Sequence, residues 1–364
     1  MFAEQCSANV SGTTLRQCGR APRLEGRPVP LLASVPQALN RRLIAVKPIT
    51  VPTTSPATDP AIDPSTGSSP ARNVSGGIEG DIERGLDLQV KVTAPLEGAN
   101  LPVIVFSHGN AWSMDGYEPL VDRWAAAGFV VIQPTHLDSR RRRIGFDDPR
   151  FATIWRVRIA DLHAVLDHLD DIVDQVPGLP ERVDAGRIAV VGHSWGGQSA
   201  GALLGARVLD ADGTPGEDFT HPSVKAGVLI ATTGTGDTLT PFALEHLPFM
   251  RPGYSTMATP ALVIAGGKDQ SAMSTRGPDW FSDAYTFSPA PKRLLTITDG
   301  EHTLGGLAGE AVKETSDEDP ARVALVADAV AAYLLDVLSG DATAWQDLQQ
   351  QAAASSGAFG IQSK

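Results

Sequence analysis

The sequence predicts an α/β fold: a mostly parallel central sheet flanked by helices on both faces, with no large cap domain. Two observations predict it. From Gly85 to Ser339, short β-branched runs alternate with longer amphipathic stretches, the pattern of strands connected by crossover helices. Several of the runs, "LPVIVFSHG" from Leu101 and "FVVIQPTHL" from Phe129, are apolar almost throughout, as parallel strands buried on both faces require.

The elements follow in order. "DLQVKVTAP" alternates like a strand with one covered face. "YEPLVDRWAAAG" has helical spacing and ends on Gly128, a C-terminal cap. "IWRVRIADLHAVLDHLDDI" is a stronger helix, with Ile154, Val157, Leu162, Val165, Leu166 and Leu169 along one side. The strand "RIAVVGHS", the helix "GGQSAGALLGARVL" and the strand "VKAGVLIAT" come next. After an irregular stretch come the strands "PALVIAGGKD" and "KRLLTITDG" and a closing helix "ARVALVADAVAAYLLDVL". Residues 85–339 are therefore expected to form the folded α/β domain, and the Ala-, Gln- and Ser-rich residues 340–364 a frayed tail.

The first 84 residues differ in kind. They are rich in Pro, Ser, Thr, Gly and Arg without usable periodicity, which reads as an extended or disordered segment. Residues 1–46 carry six Arg against Glu4 and Glu25, whereas the chain as a whole has net charge −12. The composition changes near Val46, and translation is expected to begin there. Both cysteines, Cys6 and Cys18, fall in this segment, so a disulfide scaffold, a cysteine nucleophile and a cysteine metal site are not expected in the domain. The acidic balance gives no reason to approach nucleic acid. No apolar run reaches the roughly 20 residues of a spanning helix, and no secretory signal opens the chain, so a cytoplasmic location is expected.

The chemistry is concentrated in "VVGHSWGG", residues 190–197. A serine on a tight strand-to-helix turn adopts strained backbone angles, and bulky residues two positions away would collide with the strand or the helix. Gly192 and Gly196 relieve that crowding, and the helix that follows aims its N–H groups and positive dipole end at Ser194. Serine needs a base, which needs an orienting acid. Of the eight histidines, His302 follows the strand "KRLLTIT" just before the final helix. His163 and His168 lie within a helix, His221 and His246 in irregular segments, His193 packs under the nucleophile turn, and His136 lines the site at most. Asp269 ends the strand "PALVIAGGKDQ" and is the expected acid; Asp299, three residues before His302, is its competitor. The strand ending in "VFSHGNAW" leaves backbone N–H groups at the site, so the N–H groups of Asn110 and Trp195 would form an oxyanion hole.

These motifs together resemble the α/β-hydrolase superfamily over about Gly85 to Ser339. "LPVIVFSHGN", "LVDRWAAAGFVVIQPTHLD", "GHSWGG", "IAGGKDQ" and "GEH" are similar to the branch of chlorophyllases, platelet-activating-factor acetylhydrolases and cutinase-like polyester hydrolases. The resemblance implies Ser194, Asp269 and His302 as a catalytic triad, with Asn110 and Trp195 as oxyanion donors. The expected reaction is hydrolysis of a small-molecule or polymeric carboxylic ester through an acyl-enzyme, with no cofactor and no metal. Trp112, Tyr117 and Met250 would supply an apolar substrate wall. Ser139–Ala152, with its Arg run at 140–143, and Thr233–Met257 are long enough to cover the site. Lactone, thioester or amide hydrolysis and acyl transfer are alternatives on the same triad, and a non-catalytic binding protein is the alternative of another class.

Overall fold

A computed structural model describes residues 43–45, 49–51, 87–145, 148–309 and 316–364. The expectations for Cys6, Cys18 and a start near Val46 fall outside these residues. The elements are β1 (Leu43–Ala45), β2 (Ile49–Val51), β3 (Leu88–Pro95), β4 (Leu101–Ser107), α1 (Glu118–Ala126), β5 (Val130–Pro134), α2 (Ile154–Asp167), α3 (Leu169–Asp174), β6 (Val183–His193) and α4 (Trp195–Leu203). They continue as β7 (Arg207–Val208), β8 (Val224–Ile230), α5 (Pro241–His246), β9 (Pro252–Gly253), β10 (Ala261–Gly266), α6 (Asp283–Phe287), β11 (Lys292–Ile297), α7 (Pro320–Ser339), α8 (Thr343–Ala354) and β12 (Phe359–Ser363).

The main sheet runs β1-β3-β5-β4-β6-β8-β10-β11-β12, with β2 also on β3. Its centre, from β5 through β11, is parallel; β3 and β12 close it as antiparallel strands. Residue alternation along the central strands divides the core in two. In β4, Val103 and Val105 face the layer of α2, α3 and α4, whereas Ile104 and Phe106 face the layer of α1, α7 and α8. The near-continuous apolar runs are thus strands covered twice. The carboxyl ends of β4, β6, β8, β10 and β11 lie side by side along one edge, which is where such sheets gather their chemistry.

Three expectations need correction. The sheet begins before Gly85, since β1 and β2 both pair antiparallel with β3; three-residue strands are too short to show a period. The helix expected from Ile154 to Ile172 breaks at His168 (φ −106°, ψ 24°). No Gly or Pro marks the break, which lets α3 turn Leu169, Ile172 and Val173 into the core. Residues 340–364 do not fray: α8 buries Ala344, Trp345 and Leu348, and β12 pairs along the whole of β11. The Gly128 cap is as read, with φ 98° directly after Ala127, the capping residue of α1.

Candidate active site

The turn from β6 into α4 shows why its glycines are there. A Cβ on Gly192 would run into the backbone of Gly196, and one on Gly196 into the carbonyls of Ser107 and His108. Ser194 itself is held at φ 56°, ψ −122°, a strained conformation for a residue with a side chain. Its N–H donates to the Ile230 carbonyl at 2.9 Å, tying the turn to β8. The result is an Oγ raised above the sheet edge at the head of α4.

Three strand ends converge on that oxygen. His302, in the turn after β11, places Nε2 2.8 Å from Ser194 Oγ and Nδ1 3.0 Å from Asp269 Oδ2. Asp269 follows β10 and is fully buried. Burial pushes its carboxyl above the usual range, and the hydrogen bond from His302 works against that shift. Asp299 lies elsewhere, in an exposed ion pair with Lys268 at 2.6 Å.

The loop after β4 completes the cluster. The Gly109 N–H donates to Tyr117 Oη at 3.0 Å, and the Ala111 N–H donates to Asp138 Oδ2 at 3.1 Å. Between them, among the described residues, the Asn110 N–H has no acceptor, and neither has the Trp195 N–H at the first position of α4. Both residues border the cleft that contains Ser194 and His302. This cleft measures about 530 Å³. Trp112 and Met250 line it, with Phe151, Leu247, Met273, Trp280 and Phe281, so both of the long segments named from the sequence contribute to its walls. Trp195 stacks on Phe249 with ring centroids 5.4 Å apart. Of the Arg run, Arg140 reaches the rim, 5.7 Å above the Trp112 ring.

Tyr117 does not line the cleft. It is buried behind it, 2.9 Å from His193 Nδ1. His193 Nε2 lies 3.0 Å from the His302 carbonyl, so Nε2 donates and Nδ1 accepts the Tyr117 O–H. Burial, with the nearby His302 adding to it, holds His193 down to about 3, so the ring is neutral, as this chain requires. Sequence reasoning missed the link; "GHS" offers no sign that its His reaches the backbone of His302.

A second Ser-His-Asp constellation lies underneath. Ser107 Oγ is 2.9 Å from His136 Nε2, and His136 Nδ1 is 2.9 Å from Asp161 Oδ2. All three residues are buried, and none of them lines the cleft. Ser107 Oγ also accepts from Arg158 Nη2 at 3.3 Å. The connectivity of a triad therefore occurs twice among the described residues, once open to the cleft and once sealed.

Residues 104–361 match the alpha/beta hydrolase family. A stretch of 114 residues is 33% identical to chlorophyllase-1, chloroplastic, of Citrus unshiu. It covers 31% of this chain and 31% of that protein, so the chain spans about a third of the length of the curated relative it matches.

Proposed function

Because the chain belongs to the alpha/beta hydrolase family, we propose that Ser194, His302 and Asp269 are its catalytic triad, with Asn110 and Trp195 as the oxyanion donors. The chemistry is that of a serine ester hydrolase working through an acyl-enzyme. The observation that carries the assignment to Ser194 is access: its Oγ stands 2.8 Å from an imidazole on the wall of the cleft, whereas Ser107 is sealed.

Ser194 Oγ attacks the ester carbonyl carbon while His302 Nε2 takes its proton. The carbonyl oxygen becomes an oxyanion between the Asn110 and Trp195 N–H groups, and Asp269 stabilises the imidazolium. Collapse of the tetrahedral intermediate breaks the bond to the alcohol oxygen, which receives the proton from His302. Water then gives a proton to His302, attacks the acyl carbon and releases the carboxylic acid, returning the hydrogen to Ser194. The apolar and aromatic walls favour an ester with an apolar acyl or alcohol part, small or polymeric; the partial match to a chlorophyllase supports that preference.

The test is hydrolysis of p-nitrophenyl esters from acetate to long acyl chains by the wild type, Ser194→Ala and Ser107→Ala, with a fluorophosphonate label mapped by mass spectrometry. The label is expected on Ser194, turnover is expected to vanish in Ser194→Ala, and the label is expected to persist in Ser107→Ala. A label on Ser107, or turnover surviving Ser194→Ala, overturns the assignment.

A further inference from the structure

The two halves of the oxyanion hole come from different parts of the chain, Asn110 from the loop after β4 and Trp195 from the head of α4. Their N–H groups stabilise a developing charge only if both are held in place before it forms. One fully buried side chain, Arg158 of α2, touches both supports. On the Asn110 side its Nη2 donates to the His108 carbonyl and to Ser107 Oγ. Its Nη1 donates to Asp138 Oδ1 at 2.6 Å, and the other oxygen of Asp138 accepts the Ala111 N–H. On the Trp195 side Arg158 Nε donates to Ser199 Oγ at 3.1 Å, and that hydroxyl donates to the Trp195 carbonyl at 3.1 Å. The guanidinium carbon also lies 5.1 Å from the centre of the Trp195 ring.

The sealed Ser-His-Asp chain fits the same scheme. Asp161 accepts the His136 Nδ1–H, which leaves Nε2 of the neutral ring to accept the Ser107 O–H, while Ser107 Oγ accepts from Arg158. The His136 backbone N–H donates to His108 Nε2 at 3.0 Å, and His108 Nδ1 donates to the Gly109 carbonyl at 2.7 Å. The Gly109 and Ala111 N–H groups and the His108 and Gly109 carbonyls, which flank Asn110, are therefore each hydrogen-bonded, and Arg158 is where the bonds from the two halves meet.

We propose that Arg158 is a positioning residue that holds the Asn110 and Trp195 N–H groups in register as one oxyanion hole, with Asp138 as its link to the loop and the sealed Ser107-His136-Asp161 chain as a brace. The proposal rests on the reading of Ser194 and of the two donors given above. A planar fork is needed, because a lysine ammonium cannot reach Asp138, the His108 carbonyl and Ser199 together.

The experiment compares wild type, Arg158→Lys and Asp138→Asn on a p-nitrophenyl ester, well below the Tm of each protein. It also measures inhibition by phenylboronic acid, whose tetrahedral anionic adduct with Ser194 places a boronate hydroxyl in the hole. Small displacements of reacting groups cost on the order of 10²-fold, and loss of a donor about 10²- to 10³-fold. In Arg158→Lys the expected result is a fall in kcat of about 10- to 100-fold, KM within about threefold, and a matching loss of boronate affinity. A folded Arg158→Lys with wild-type kcat and boronate affinity overturns the proposal, and so does a loss confined to KM. Should neither variant fold, Ser199→Ala removes only the neutral hydroxyl that links Arg158 to the Trp195 carbonyl; boronate affinity should still fall by about threefold or more, and no change overturns the proposal. Ser194→Ala measured in parallel separates the two levels: turnover surviving there refutes the reading of the site, not the role of Arg158.

Discussion

Acidification should destabilise this protein through two buried histidines that lie outside the proposed triad. His108 and His193 are buried beside the turn that carries Ser194, and burial is the main cause that lowers them from 6.5 to about 4 and about 3. In the unfolded chain both take up a proton as pH falls through 6.5, while in the fold both refuse it until pH approaches 4 and 3. Stability is thus fully present above pH 6.5 and is lost as pH falls towards those folded values. Each group contributes a slope approaching 1.4 kcal/mol per pH unit inside its window, so going from pH 7 to pH 5 removes about 2 kcal/mol per histidine and about 4 kcal/mol together. Against a total stability on the order of 5–15 kcal/mol, that is a large share. His163, also lowered by burial, acts in the same direction, whereas the raised carboxyls of Asp269 and Asp328 act in the opposite one. The assay is urea unfolding at pH 7 and pH 5 for wild type and His193→Gln. Glutamine can still accept from Tyr117 and donate to the His302 carbonyl, and it does not titrate. The variant should lose about 2 kcal/mol less than the wild type across that interval. An equal loss in both proteins, or a flat profile in the wild type, refutes the reasoning.

Two further outcomes follow from buried polar groups. Tyr117→Phe strands the Gly109 N–H and His193 Nδ1, and should cost about 2–6 kcal/mol at about 1–3 kcal/mol for each unsatisfied group, read as a lower urea midpoint with unchanged m-value; a midpoint equal to wild type contradicts it. Arg276 forks onto the buried carboxylate of Asp283 at 2.8 and 2.9 Å. Arg276→Ala leaves that charge with only the Thr235 N–H and hydroxyl and should lose roughly 3–5 kcal/mol, whereas a loss under about 1 kcal/mol in urea unfolding would mean the pair contributes little.

What the sequence disclosed was whatever a strand end announces locally. The apolar runs before Ser107, Ser194, Asp269 and His302, and the glycines whose absent side chains allow β4, β6 and α4 to touch, each carry a signal within about ten residues. The supports of the site carry none. Arg158 sits on an amphipathic helix where an arginine reads as a surface residue, and only the packing of α2 against α4 and β4 turns it inward. Tyr117 read as a substrate aromatic for the same reason: a lone aromatic near a site has no sequence mark that separates wall from support. The end of the chain was missed because its anchors are sparse. Trp345, Leu348 and Phe359 are the large apolar side chains it buries, spread through Ala, Gln and Ser, and β12 borrows its backbone partners from β11.

The aromatic lining of the cleft gives the protein an optical property as well. Three of its six tryptophans, Trp112, Trp195 and Trp280, border the cleft, and Trp195 adjoins Ser194 in sequence while its ring lies against Phe249 on one contact and the Arg158 cation on another. Indole emission is sensitive to nearby charge and to the exclusion of water, so filling the cleft should change the intrinsic fluorescence of the unlabelled enzyme. Stopped-flow fluorescence could then follow the arrival of an acyl group and its departure within a single turnover, with esters that release no coloured product.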